Sequence, residues 1–217
     1  MACAAHGAAV IREAAIAAAI ALVSPKMPTV QRAELAHTFH AVATRHGLDP
    51  LDLVAIAWHE SDFHAAAVSA DGEDFGLMQV RGRYLAACRE NNEGELCKTA
   101  KAALLDPHTN IRTAGAAIGA MRDLCRKVTG RSSTLPQWLQ AYAGLNHPRV
   151  RGAWCGRQKV KGQWVGLSAR RHPGLREILD CRRSLTLKRP CHRERHGAHV
   201  RSKSTPRRSI AGSRKGR

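Results

Sequence analysis

The run LDLVAIAW at residues 51–58 is apolar almost all the way round a helix, so it must lie inside the protein rather than on its surface. Asp49 and Pro50 mark its start: an aspartate side chain accepts from the first free helical N–H groups, and proline fits the first helical position. The run leads directly into His59, Glu60 and Ser61. A carboxyl group at the C-terminal end of a buried helix, beside Trp58, sits where both the helix dipole and desolvation disfavour its charge. Its pKa should rise, and an acid still protonated near neutral pH is what general acid catalysis requires. Glu60 is therefore the first candidate catalytic residue.

The same stretch, AWHESDFH at 57–64, carries two histidines around the glutamate. A zinc site of the His-Glu-x-x-His kind needs its histidines four apart, on one helical face. His59 and His64 are five apart, about 140° around a helix, and point away from each other. CHRERHGAH (191–199), taken with Cys181, matches no standard finger spacing. No metal and no cofactor is expected.

The remaining pattern is helical. Leu35, Phe39 and Val42 fall on one face of a helix over 29–46, closed by Gly47. Asp106 and Pro107 start a long helix that ends before Gly130. TLPQWLQAYAGL (134–145) reads as a short helix, and GLREILDCRRSL adds one more. SADGEDFGLMQV (69–80) reads as a glycine-containing loop with a short extended piece. Abundant alanine within a hydrophobic content of 44% favours helix over sheet. The expected fold is all-α or mainly α, one domain over about 29–181.

Charge and cysteines divide the chain further. The formal charge is +18, yet residues 182–217 hold 13 of the 35 Lys and Arg and only one of the 17 Asp and Glu. This stretch, without periodicity, is expected to be a disordered basic tail attracted to an anionic cell-envelope polymer or to nucleic acid. It has no aromatic residue to stack a base. Seven cysteines, six of them beyond the N-terminal stretch, favour an oxidising compartment. Loop lengths suggest the pairs Cys88–Cys97, Cys125–Cys155 and Cys181–Cys191, out of 15 pairings that six cysteines allow. For residues 1–28 two readings stand: a signal peptide, with AAIAAAIALV (14–23) as its apolar region, or an alanine-rich first helix. No run elsewhere approaches the ~20 apolar residues of a spanning helix.

Glu60-Ser61 at a helix end, Ser69 in a loop, GLMQV at 76–80, DPHTNI at 106–111 and AYAG at 141–144 occur in an order that resembles the soluble lytic transglycosylases. That resemblance, over about residues 45–150, implies a lysozyme-like helical domain with a glycan-binding groove, shared with goose-type lysozyme. It implies cleavage of the β-1,4 bond between N-acetylmuramic acid and N-acetylglucosamine in peptidoglycan glycan strands, in the periplasm or outside the cell. It also implies that one carboxyl group serves, because the sugar's own 6-hydroxyl attacks and leaves a 1,6-anhydromuramyl end. By match Glu60 is acid and then base, Tyr142 orients it, and Ser69, Met78 and Gln79 contact substrate. Ser61 buttresses Glu60 and has no histidine-acid arrangement of a nucleophile around it.

Three departures stand against the family pattern. The ADGEDF loop is one residue longer and carries Asp71, Glu73 and Asp74; the asparagine after the family tyrosine is absent; Gly115 sits one place away from the family glycine. The acidic loop keeps open a goose-type-like hydrolase, in which a second carboxylate activates water. Goose-type enzymes place an acid directly after GLMQV, where this chain has Arg81. A basic wall- or nucleic-acid-binding protein on a non-catalytic lysozyme-like fold is the rival from another class.

Overall fold

The computed structural model describes residues 2–91, 94–130, 134–142, 153–154, 157–160, 163–166 and 173–193. Helices α1 (Ala2–Val23), α2 (Thr29–His46) and α3 (Pro50–Ser61) come first, followed by a hairpin of β1 (Asp74–Phe75) and β2 (Val80–Arg81). Two 3-10 turns lead to α4 (Glu95–Ala103), α5 (Pro107–Thr129) and α6 (Leu135–Tyr142). Strands β3 (Ala153–Trp154), β4 (Arg157–Val160) and β5 (Gln163–Gly166) form a small antiparallel sheet before α7 (Pro173–Thr186). The fold is mainly helical.

Helix α3 is the centre of the core. Leu53, Val54, Ala55, Ile56 and Ala57 are all wholly buried, as the unbroken apolar run demanded. Around it α1 packs on α2, α2 on α5, and α7 on α3. Its start is fixed as the sequence indicates: Asp49 accepts from the Leu51 amide at 2.9 Å, with Pro50 in the first turn. Asp106 likewise accepts from the Thr109 amide at 2.7 Å to open α5. Gly47 and Gly130, both left-handed, close α2 and α5.

A buried asparagine fastens the hairpin to α5. Asn110 Oδ1 accepts from the Met78 amide at 2.7 Å, while Nδ2 donates to the carbonyls of Phe75 (2.8 Å) and Leu104 (2.9 Å). The approach is so close that a Cβ on Gly76 would collide with the Leu104 carbonyl and the Asn110 amide. Gly76 also has a φ of +74°, so the glycine of GLMQV is required twice over.

The structure bears on both ends of the chain. The boundary drawn after residue 181 falls inside α7, which continues to Thr186. Residues 187–193 are then drawn back by the Cys181–Cys191 disulfide, so the folded part reaches at least Arg193. The rest of the expected tail lies outside the described residues. Near the N-terminus, Ile16, Ala19, Ile20 and Val23 of α1 join the core. Among the described residues no helix is long and apolar enough to cross a membrane.

The cysteines pair largely as loop length suggested. Cys88–Cys97 and Cys181–Cys191 are disulfides. Cys125 is disulfide-bonded as well, and Cys155 lies outside the described residues.

Candidate active site

Helix α3 ends abruptly, and the manner of its ending places Glu60. Asp62 and Phe63 both have positive φ, 53° and 63°, a backbone region that bulky residues rarely adopt. Burial of the Phe63 ring, edge-on to Phe39 with centroids 6.3 Å apart, holds this turn against its local cost of about 1–3 kcal/mol per residue. The Ser61 hydroxyl donates to the Leu77 carbonyl at 2.8 Å, with a longer 3.3 Å approach to Ala57. Ser61 thus ties the helix end to the GLMQV segment, in keeping with a buttress rather than a nucleophile.

The chain that follows the turn forms an open cleft of about 750 Å³ beside Glu60. His59 to Val68 line it, together with Gln79 and Arg193. Glu60 is half-buried there, and burial, with a smaller push from the charge of Asp74, raises its pKa to about 7. Desolvation is therefore the main cause, as the apolar helix behind it implies. A group with this pKa is protonated often enough at neutral pH to donate and basic enough to accept afterwards.

The acidic loop is tied internally. Ser69 Oγ donates to Asp71 and accepts from the amides of Glu73 (3.2 Å) and Asp74 (2.9 Å). Arg81 pairs with Asp71 at 3.0 Å and Asp74 at 3.7 Å, and Arg83 pairs with Glu73 at 3.3 Å. Burial raises the Asp74 pKa, partly opposed by Arg81, whereas the Ser69 hydrogen bond lowers that of Asp71. Asp74 and Arg81 are also direct partners in the β1–β2 register. Asp74 alone of the three loop acids acts electrostatically on Glu60.

The expected site residues separate into three groups. Glu60 and Gln79 meet in the cleft; the Gln79 amide donates to the Gly76 carbonyl at 2.9 Å, and its φ of 47° turns it there. Met78 is wholly buried in the core and is not among the residues that line the cleft. The residue turns inward because its amide is held by Asn110, leaving Gln79 to face out. The Ser69 hydroxyl is engaged within the acidic loop, and Ser69 is likewise not among the lining residues. Tyr142 ends α6, and its side chain lies outside the described residues.

The two histidines that raised the zinc question face different partners. His59 pairs with Glu177 of α7 at 3.1 Å, and His64 bonds the Ser61 carbonyl at 3.1 Å. One cleft residue escaped the sequence reading altogether. Arg193 lies 5.4 Å above the Trp58 ring and donates to the Trp58 and His59 carbonyls at 3.0 and 3.3 Å. The signal for it was the Cys181–Cys191 pairing, which places the chain two residues further on beside α3.

Comparison with known proteins agrees with this arrangement. Residues 37–161 match the family model described as the Transglycosylase SLT domain. No curated protein and no solved structure matches the chain. The matched segment starts in α2, contains all of α3 with Glu60, and runs through the hairpin and α5 to the end of β4. It spans more than half of the 217 residues, and its family activity is that of peptidoglycan lytic transglycosylases. The chain belongs to the transglycosylase SLT domain family.

Proposed function

We propose that the protein cleaves the N-acetylmuramic acid–β-1,4–N-acetylglucosamine bond of peptidoglycan without water, using Glu60 alone as acid and then base. The observation that carries this reading is the half-buried Glu60 with a pKa of about 7 at the floor of an open cleft. Protonated Glu60 gives its proton to the glycosidic oxygen as the bond to the muramyl C1 breaks. The carboxylate so formed takes the proton of the muramyl 6-hydroxyl as that oxygen attacks C1. Glu60 ends protonated, water is not consumed, and the product carries a 1,6-anhydro ring. Intramolecular attack removes the need for a second carboxylate.

A hydrolytic reading rests on one specific observation, the action of Asp74 on Glu60. Asp74 would then activate water. Asp74 is paired with Arg81 in the β1–β2 hairpin and is not among the residues that line the cleft, which favours the first reading. Tyr142 is proposed to orient Glu60 from the end of α6. The disulfides support action in an oxidising compartment, the periplasm or outside the cell.

The test is a pair of substitutions in the full chain. Glu60→Gln keeps shape and removes the proton, and should lower turnover of peptidoglycan by roughly 10²–10⁴-fold. Asp74→Asn should retain most of it. A large loss from Asp74→Asn, equal to that from Glu60→Gln, would transfer the reading to a hydrolase.

A further inference from the structure

Helix α7 and the segment after it lie beyond the residues that match the family model, yet that segment brings Arg193 to the cleft. The Cys181–Cys191 disulfide folds residues 187–193 back from the end of α7 toward the end of α3. There Arg193 stacks over Trp58 and caps two carbonyls at the helix C-terminus, an orientation that suits a cation. Both hydrogen bonds to these carbonyls use Nη2, and the residue is exposed. Neither bond uses Nε or Nη1, and Arg193 lines the cleft. Among the described residues lining that cleft, Arg193 is the one Arg or Lys.

We propose that this strap forms an anion subsite, in which Arg193 binds a carboxylate carried by the glycan strand. The proposal rests on the reading of the cleft as a peptidoglycan site. A polysaccharide of neutral sugars offers an arginine nothing to pair with, whereas muramyl residues carry carboxylates. Two sources share that chemistry: the lactyl group of a stripped strand and the acids of a peptide stem. Planar, charge-assisted recognition is what a guanidinium held on one edge provides. Arg193 is in this view a binding residue, and the disulfide positions it.

Binding can be read without turnover. The full chain carrying Glu60→Gln is titrated with a soluble muropeptide strand of at least two disaccharides, in three forms: stem-bearing, stripped to the lactyl carboxylate, and stem-bearing with every carboxylate amidated. Adding Arg193→Gln should weaken binding of the stem-bearing strand roughly five- to tenfold and leave the amidated strand unchanged. Arg193→Lys should recover part of the loss. Cys191→Ser should reproduce the Arg193→Gln effect and add little to it. A loss confined to the stripped strand assigns the anion to the lactyl group, a loss confined to the stem-bearing strand assigns it to the peptide, and a loss on both shows that the subsite takes either carboxylate. Equal weakening of all three forms, or of none, overturns the proposal, the former leaving Arg193 only a cap on α3. Because these titrations use inactive protein, their failure is separate from that of the catalytic reading, which would show as persistent cleavage by Glu60→Gln.

Discussion

The Ser61 hydroxyl donates to the Leu77 carbonyl at 2.8 Å, across 16 residues of chain, and joins the end of α3 to the GLMQV segment. The residue beside the Glu60 carboxyl is thereby fixed to the segment that carries Gln79 into the cleft. Ser61→Ala should cost only about 1 kcal/mol of stability, the net worth of one hydrogen bond. Its larger effect should be on turnover, because a displacement of Glu60 matters more to proton transfer than to packing. Thermal unfolding and steady-state kinetics on the same preparation separate the two; a fall in stability without a fall in kcat would contradict the positioning role.

Asn110 should behave in the opposite way. It makes three buried hydrogen bonds to backbone and contacts no part of the cleft. Asn110→Ala removes all three at once and should destabilise the fold by about 3 kcal/mol or more. Asn110→Asp keeps the acceptor for the Met78 amide, loses both donors, and should be nearly as damaging. Urea denaturation checks this; a midpoint unchanged by Asn110→Ala would remove the asparagine from the account of how GLMQV is held.

The raised pKa of Glu60 links activity and stability to pH. It moves from 4.5 to about 7 on folding, so between those values the folded state holds a proton that the unfolded chain has released. Stability from this group is fully present below pH 4.5 and is lost as pH rises through about 7. Asp52, raised to about 6 chiefly by burial, acts in the same sense. Glu60→Gln should therefore flatten part of the decline in stability between about pH 4.5 and 7, not all of it, and should be the more stable protein at pH 8. Turnover should fall as pH rises above about 7, and Asp74→Asn should move that limb to lower pH by removing a repelling charge. Melting curves and rate profiles over pH 4–9 provide both readouts.

Truncation separates the strap from the remaining basic segment. A chain ending after Arg193 keeps α7, the disulfide and the cleft wall, and should retain its melting temperature and its affinity for the strand. A chain ending after Leu187 loses Cys191 and Arg193 together and should bind a stem-bearing strand more weakly. Equal behaviour of the two truncations would show that residues 188–193 add nothing to the site.

The buried helix and its carboxylate were legible because the signals are local. Asp49 and Pro50 open α3, its apolar residues leave no surface face, and desolvation of Glu60 follows directly. The inward turn of Met78 was not legible, since it depends on Asn110, 32 residues away, holding the Met78 amide. Gln79 faces the cleft through a positive φ that no alternation rule anticipates. The engagement of Ser69 with Asp71, Glu73 and Asp74 was not legible either, since it depends on how the loop closes on itself. The strap was hidden by composition: Lys188, Arg189 and Arg193 share the charge of the tail, while their placement is decided by Cys191.

The nature of the cleaved end tests the central claim most directly. Purified peptidoglycan is digested with the full chain and the released fragments are weighed by mass spectrometry. Fragments ending in 1,6-anhydromuramic acid, lighter by one water than their hydrolytic counterparts, are the expected result, and they should vanish with Glu60→Gln. Fragments ending in reducing muramic acid, or undiminished release by Glu60→Gln, would contradict it.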